Sequence, residues 1–266
     1  MSRGRLGATG WTFEGSRLSA LRDKLRSGVQ TLAEVYGAPL YGIKTGLNEA
    51  FVVNRLVRDQ LVAANPSATA IMKPFLRGED LKRWRVESDD RFLINTPKGK
   101  IDIDQHPLVR NHLAAFRGAL EGRATRQVWF ELQQAQLAYQ PKMVGPKVVW
   151  PHFQSRASFC LDEDGYFLNN KAFFIPNLPL FELAFLNSAV SWFILSSLAR
   201  IKRGGFIEAE AQYVGELPSL RDAAEAERDR LALLAGAAAS ATKQRDTVVA
   251  DLRCRIPDLT LQLLFE

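Results

Sequence analysis

One apolar run constrains this chain more than any other stretch. Leu178 to Ile201 reads LPLFELAFLNSAVSWFILSSLARI, close to the length a helix needs to cross a bilayer. A chain holding such a run either anchors itself there or folds around it. Glu182, Asn187, Ser188, Ser191, Ser196 and Ser197 all lie inside it, and a carboxylate in hydrocarbon is costly. No second run of this kind accompanies it. The run therefore predicts a core helix, apolar on most faces and entered through Pro179 in its first turn. The remaining chain must supply what packs around that helix. A total of 266 residues suffices for one large domain or two small ones.

The charge is unevenly spread. Residues 1–160 hold 24 Lys and Arg against 14 Asp and Glu, residues 161–220 hold 4 against 7, and residues 221–266 hold 7 against 8. A basic N-terminal part joined to a near-neutral remainder points to a polyanionic partner or to a merely basic soluble protein. Apolar residues make up 47% and charged residues 24%, which excludes a disordered chain. Two cysteines, Cys160 and Cys254, build neither a disulfide framework nor a four-ligand zinc site. Three histidines (His106, His112 and His152) argue against a histidine-built metal centre, so no metal ligand is assigned. No secretory signal opens the chain, and a reduced, cytoplasmic setting is expected.

Periodicity supplies a coarse map. Leu18, Leu21, Leu25, Val29, Leu32 and Val35 predict an amphipathic helix from Ser16 to about Tyr36. Residues 39–54 read as a β-hairpin or strand-loop-strand around Thr45-Gly-Leu-Asn48. Asn54 caps a helix to Ala64, and Ser67 starts a short helix that Pro74 disturbs. Strands are predicted at 91–95, 147–150 and 172–175, with a hairpin at 158–168 turning on Asp162-Glu-Asp-Gly165. Residues 107–120 are helical, 203–206 form a loop, and 223–255 make a long helix or helical hairpin. Helices and strands mix without regular alternation, so the predicted fold is α+β, or irregular α/β.

Catalytic signatures are missing. There is no glycine-rich nucleotide loop, no nucleophile elbow and no His-Glu-x-x-His. Asp102 and Asp104 beside Lys98 and Lys100 lack the Glu-x-Lys element of a metal-dependent nuclease. An amino-methyltransferase needs a cofactor loop and an Asn/Asp-Pro-Pro-aromatic motif, and neither occurs. No catalytic residue is assigned, and the residues argue for binding.

Several polar clusters suit a nucleic acid. In Gly42-Ile-Lys-Thr-Gly-Leu-Asn48, Lys44 can meet a phosphate or guanine, and Thr45 and Asn48 a phosphate or adenine. The same residues can equally satisfy their own turn. Arg77, Lys82 and Arg83 lie in the densest basic-aromatic cluster, around Trp84. Guanidinium forks fit phosphate and guanine, while Trp84 either stacks or belongs to the core. Lys98 and Lys100 form a cationic turn. His152, Gln154 and Arg156 end a strand, where they either read base edges or close a loop. Lys202 and Arg203 follow the apolar run, where positive charge also favours a helix end.

Some of these blocks carry a family likeness. Tyr41-Gly-Ile-Lys-Thr-Gly-Leu-Asn-Glu-Ala-Phe51 resembles the opening motif of the TaqI-like C-terminal specificity domain. That domain is the target-recognition part of adenine-N6 DNA methyltransferases and of fused type IIG restriction-modification enzymes. Lys73-Pro-Phe-Leu-Arg-Gly-Glu-Asp-Leu-Lys-Arg-Trp84, Phe92-Leu-Ile94, residues 107–113, Trp129-Phe-Glu-Leu132, Pro146-Lys-Val-Val-Trp150 and Leu183-Ala-Phe-Leu-Asn-Ser188 resemble its later blocks, in order. Phe130 stands where the family more often has Tyr.

The likeness spans roughly residues 11–220. It implies a target-recognition domain over 1–220, followed by a helical segment over 221–266. The implied partners are double-stranded DNA and a methyltransferase domain or subunit, with no membrane. No cofactor is expected in this chain, because S-adenosylmethionine and any Mg²⁺ would belong to the catalytic domain. Such domains follow a methyltransferase domain, so the chain reads as a free-standing specificity protein, a split gene product or a fragment. The rival reading is a degenerate specificity domain that binds a protein through its C-terminal helices.

Overall fold

Val148-Val-Trp150 and Phe173-Phe-Ile175 are apolar without alternation, the pattern of strands covered on both faces. The computed structural model, which describes residues 16–243, places them at the centre of the molecule. Its strands are β1 (Leu40–Tyr41), β2 (Val52–Asn54), β3 (Met72–Leu76), β4 (Leu81–Lys82), β5 (Arg85–Val86) and β6 (Arg91–Ile94). They continue with β7 (Lys147–Pro151), β8 (Phe153–Gln154), β9 (Cys160–Asp162), β10 (Phe167–Leu168), β11 (Ala172–Pro176) and β12 (Ile207–Glu208).

The central sheet runs β1-β11-β7-β9, antiparallel throughout, with Phe173 opposite Trp150 and Phe174 opposite Val149. Side chains on a strand alternate between faces. Val148, Trp150, Phe173 and Ile175 face a core shared with the helices Leu180–Leu186, Ala189–Leu198 and Glu225–Lys243. Val149, Cys160, Ala172 and Phe174 face a second core, shared with the sheet β10-β3-β6-β2. The fold is α+β, with helices, sheet and second sheet in layers.

Lys147 opens β7 and is wholly buried against Asp162, its cross-strand neighbour on β9. Burial pushes the lysine down and the carboxyl up, and each one's charge opposes the other's shift. Asp162 also accepts the backbone N–H groups of Asp164 and Tyr166, at 2.9 and 3.1 Å. The pair thereby fixes the chain reversal that sends β10 into the other sheet.

The predicted single core helix is two helices, bent by 65° between Leu186 and Ala189. Asn187 makes the break. Its side chain accepts from Phe159 N at 3.1 Å and donates to Phe159 O at 2.9 Å, as a strand residue would. Ser188 then caps the second helix through the N–H of Ser191. Among the described residues no single helix is long and apolar enough to cross a membrane. Glu182 sits fully buried on the first helix, where its Oε1 accepts from Tyr36 Oη, Ser219 Oγ and Leu220 N.

Other elements differ from expectation for local reasons. The first helix stops at Arg26, and Gly28 takes a left-handed conformation. The chain resumes at Thr31, whose capping box with Glu34 starts the helix Leu32–Tyr36. β1 and β2 enter different sheets, as do β9 and β10, so neither pair is a hairpin. The short helix after Ser67 is a single 3-10 stretch, Pro66–Ile71, leading into β3, which runs through Pro74. Residues 107–120 form two helices, Pro107–Ala114 and Arg117–Glu121. The C-terminal helix Glu225–Lys243 packs Leu231, Leu234, Ala235 and Ala238 into the first core. Its predicted continuation past 243, with Val248, Val249 and Leu252, lies outside the described residues.

Candidate nucleic-acid interface

Pro151 ends β7, and two residues on the chain pairs again as β8. Its partner is β12: Phe153 lies opposite Glu208 and Gln154 opposite Ile207. An isolated bridge between Ile201 and Ile207 extends the ribbon toward the bent helix pair. The turn between these two residues is closed by Lys202 N donating to Phe206 O at 2.7 Å. Gly204 and Gly205 make that turn at φ of 85° and 78°, a region that resists side chains.

This ribbon gathers exposed groups from distant parts of the sequence. Phe153 (45% exposed), Ile201 (72%) and Phe206 (44%) stand out of the surface. Arg156, Arg200, Lys202 and Arg203 are exposed beside them in sequence. Lys202 Nζ lies 3.1 Å from Glu208 Oε1. Arg156, Arg200 and Arg203 make no ion pair among the described residues. Gln154 is turned inward: its Oε1 accepts the N–H of Ser158 at 3.0 Å, closing the loop that presents Ser155 and Arg156.

An open cleft adjoins the ribbon, lined by Arg77, Gly78, Glu79, His152, Phe153 and Lys171, among others. The turn at Gly78 packs against Lys171 O and Pro151. The Arg77 guanidinium contacts Glu79 at 3.4 Å, and Asp80 accepts the Arg77 backbone N–H at 2.7 Å. His152 is buried between ribbon and cleft, stacked on Phe153 with ring centroids 4.3 Å apart. Burial and the charge of Lys171 hold its imidazole below the ordinary value, against the pull of Glu210 and Glu208.

The remaining predicted residues fall elsewhere. Lys82 and Arg83 lie on the β4–β5 hairpin. Lys82 is exposed, 3.8 Å from Glu87, while Arg83 Nη2 donates to Asn187 O at 2.6 Å and so holds the helix break. Trp84, between them and β5, is 1% exposed and belongs to the first core, which forces it to φ 72°. Lys98 and Lys100 are exposed on a turn whose Gly99 N–H donates to Glu131.

In the segment 41–51, Thr45 is buried and its hydroxyl donates to Asn48 Oδ1 at 2.7 Å. Lys44 is half-buried, its backbone paired with Gln134. Asn48 is exposed at the start of the helix Asn48–Phe51. A Cβ on Gly42 would lie 2.2 Å from Asn169 O, so this glycine serves a close crossing of the chain over itself.

Some organising residues were missed from sequence. Arg123 donates to the carbonyls of Thr45, Leu120, Val128, Trp129 and Glu131. Only an isolated cation among polar residues marked it. Lys171 and Arg200 were likewise not singled out. Their placement depends on sheet pairing that no local pattern encodes.

The described residues form a mixed α+β fold that sets positive charge, without ion-pair partners among those residues, beside exposed aromatic side chains on a two-stranded ribbon. The chain belongs to the family of TaqI-like C-terminal specificity domains, whose sequence profile matches residues 73–219. That stretch contains the later motif blocks and the ribbon, and starts after the Tyr41–Phe51 motif. Two solved structures are similar. One is the type IIL restriction-modification enzyme MmeI in complex with DNA, with a TM-score of 0.60 and 11% identity, covering 88% of this chain and 33% of that one. The other is the type IIG restriction endonuclease BpuSI, with a TM-score of 0.50 and 11% identity, covering 94% and 33%. The chain thus spans about a third of either enzyme's length. No curated protein sequence matches it.

Proposed function

We propose that this chain is a target-recognition module that aims an adenine-N6 DNA methyltransferase, within a restriction-modification system, at a short duplex site. The observation that carries the reading is the β8–β12 ribbon. It sets Arg156, Arg200 and Arg203, without ion-pair partners among the described residues, beside exposed Phe153 and Phe206. A two-stranded ribbon fits the major groove. Guanidinium groups hold phosphates, and polar groups at the ribbon and in the adjoining cleft contact base edges. The MmeI structure, a complex with DNA, supports this reading by analogy of fold alone. The chemistry belongs to a catalytic domain or subunit that binds S-adenosylmethionine, in a cytoplasmic setting.

Duplex binding measured across a salt series tests this reading. With about four to six phosphate contacts, log affinity should fall against log salt with a slope of roughly −4 to −5. A slope near zero would refute it. The chain alone is expected to transfer no methyl group. Methylated adenine formed from S-adenosylmethionine in a single-component reaction would contradict that.

A second reading, docking of a protein, has one observation of its own. Leu180, Ala232, Leu233, Gly236 and Ala237 line an apolar groove on the C-terminal helix, and Leu233 is 75% exposed. Salt-independent capture of a methyltransferase subunit, without DNA affinity, would favour it.

A further inference from the structure

Three residues meet at the inner end of the ribbon. His152 lies between β7 and β8, Glu208 on β12, and Glu210 at the start of the helix Ala211–Gly215. One ligand atom from each lies within 4.8 Å of the others. We propose that His152, Glu208 and Glu210 form a binding site for a divalent first-row cation, Zn²⁺ foremost, that staples the ribbon to the body of the domain.

His152 is a buried imidazole without a well-formed hydrogen bond. The residue is 8% exposed, Nδ1 has no hydrogen-bond partner, and Nε2 has only long contacts to carboxylates. Buried polar groups are normally satisfied, and an orphan needs a reason. Nε2 faces Glu210 Oε1 at 3.4 Å and Glu208 Oε1 at 4.0 Å, both longer than a well-formed N–H···O bond. Two donors bound to one Zn²⁺ at about 2.1 Å in tetrahedral geometry lie about 3.4 Å apart. The His152–Glu210 spacing already meets this, and Glu208 needs only a small side-chain adjustment.

Two carboxylates converge on one partly buried point, and among the described residues the one Lys or Arg paired to them is Lys202, on Glu208 at 3.1 Å. A divalent ion neutralises both carboxylates, which Lys202 alone does not. An open pocket lined by Tyr41, His152, Asn170, Glu210 and Gln212 reaches the cluster from solvent, which gives an entry path and room for water ligands. One imidazole and two carboxylates suit Zn²⁺ and its first-row neighbours, while Mg²⁺ favours an all-oxygen shell.

Isothermal titration of the full, tag-free chain with Zn²⁺ tests the site. One equivalent should bind saturably, and Mg²⁺ at the same concentration should not compete. Glu210→Gln, a change at a partly exposed position, should weaken binding at least tenfold, and His152→Gln more. Lys202→Ala should tighten it several-fold, because Glu208 is then freed. Circular dichroism establishes that each variant is folded. Absence of saturable binding at one equivalent would overturn the proposal. So would unchanged affinity in folded Glu210→Gln, or weaker binding in Lys202→Ala. The proposal stands apart from the DNA reading, since the readout contains no DNA.

Discussion

At the residue scale, Glu182 has the clearest consequence. It is fully buried, its Oε1 takes three hydrogen bonds and its Oε2 takes none. Burial raises its carboxyl to about 7 from the usual 4.5. The folded state therefore holds the proton more tightly than the unfolded chain. The stability this contributes is fully present below about pH 4.5 and is lost as pH rises through about 7. Urea unfolding should show wild type losing about 2–3 kcal/mol from this group between pH 5 and 8. Glu182→Gln, which keeps the acceptor oxygen and removes the titration, should flatten that dependence; an unchanged slope would refute the assignment.

Gly42 carries a second prediction. An added Cβ meets two backbone carbonyl oxygens, Asn169 O at 2.2 Å and Leu168 O at 2.3 Å. Gly42→Ala should cost about 1–3 kcal/mol in denaturant unfolding. Identity was legible at this scale and orientation was not. Asn187 and Ser188 visibly interrupt the apolar run. Whether Thr45 or Gln154 faces solvent depends on sheet register, and a shift of one residue would expose either of them.

At the element scale, the β8–β12 ribbon and the segment held by Arg123 respond to substitution in opposite ways. Arg123 satisfies five carbonyl groups around the loops at 45 and 128–131. Arg123→Ala should destabilise the fold by about 2–4 kcal/mol, because hydrogen bonds to charged groups are strong and the stranded carbonyls are partly buried. Arg203→Ala, on an exposed turn, should shift stability by no more than about 0.5 kcal/mol. Paired denaturant melts separate the two.

The ribbon strands were not legible, since two residues carry no period and β8 and β12 are far apart in sequence. β7 and β11 were legible because burial on both faces left an unbroken apolar run. The capping box at Thr31 and Glu34 was present in the sequence. An apolar stripe that continues across the break at Gly28 masks it in the sequence, although the capping box governs the fold. The cluster of His152 with Glu208 and Glu210 was hidden for the same reason as the ribbon: pairing across the chain creates it.

At the scale of the whole molecule, the apolar run acts as the core around which the layers assemble. Its two helices cover one face of the central sheet, the second sheet covers the other, and the C-terminal helix closes the first core. Several cations of residues 1–160 are held within the fold, so the net excess of positive charge does not mark one face. Arg91 pairs with Asp80 and Asp89, Arg55 with Asp90, Lys147 with Asp162, and Arg123 with carbonyls. Net charge alone therefore pointed to a polyanion without locating the face that meets it. We assign that face to the β8–β12 ribbon. The assignment is tested by the salt dependence of duplex binding for wild type and for Arg156→Ala/Arg203→Ala, measured by fluorescence anisotropy on one labelled duplex. Wild type should give a slope near −4 to −5 and the double variant one shallower by about two units, with unchanged folding stability. A double variant with the wild-type slope and affinity would place the DNA on another face.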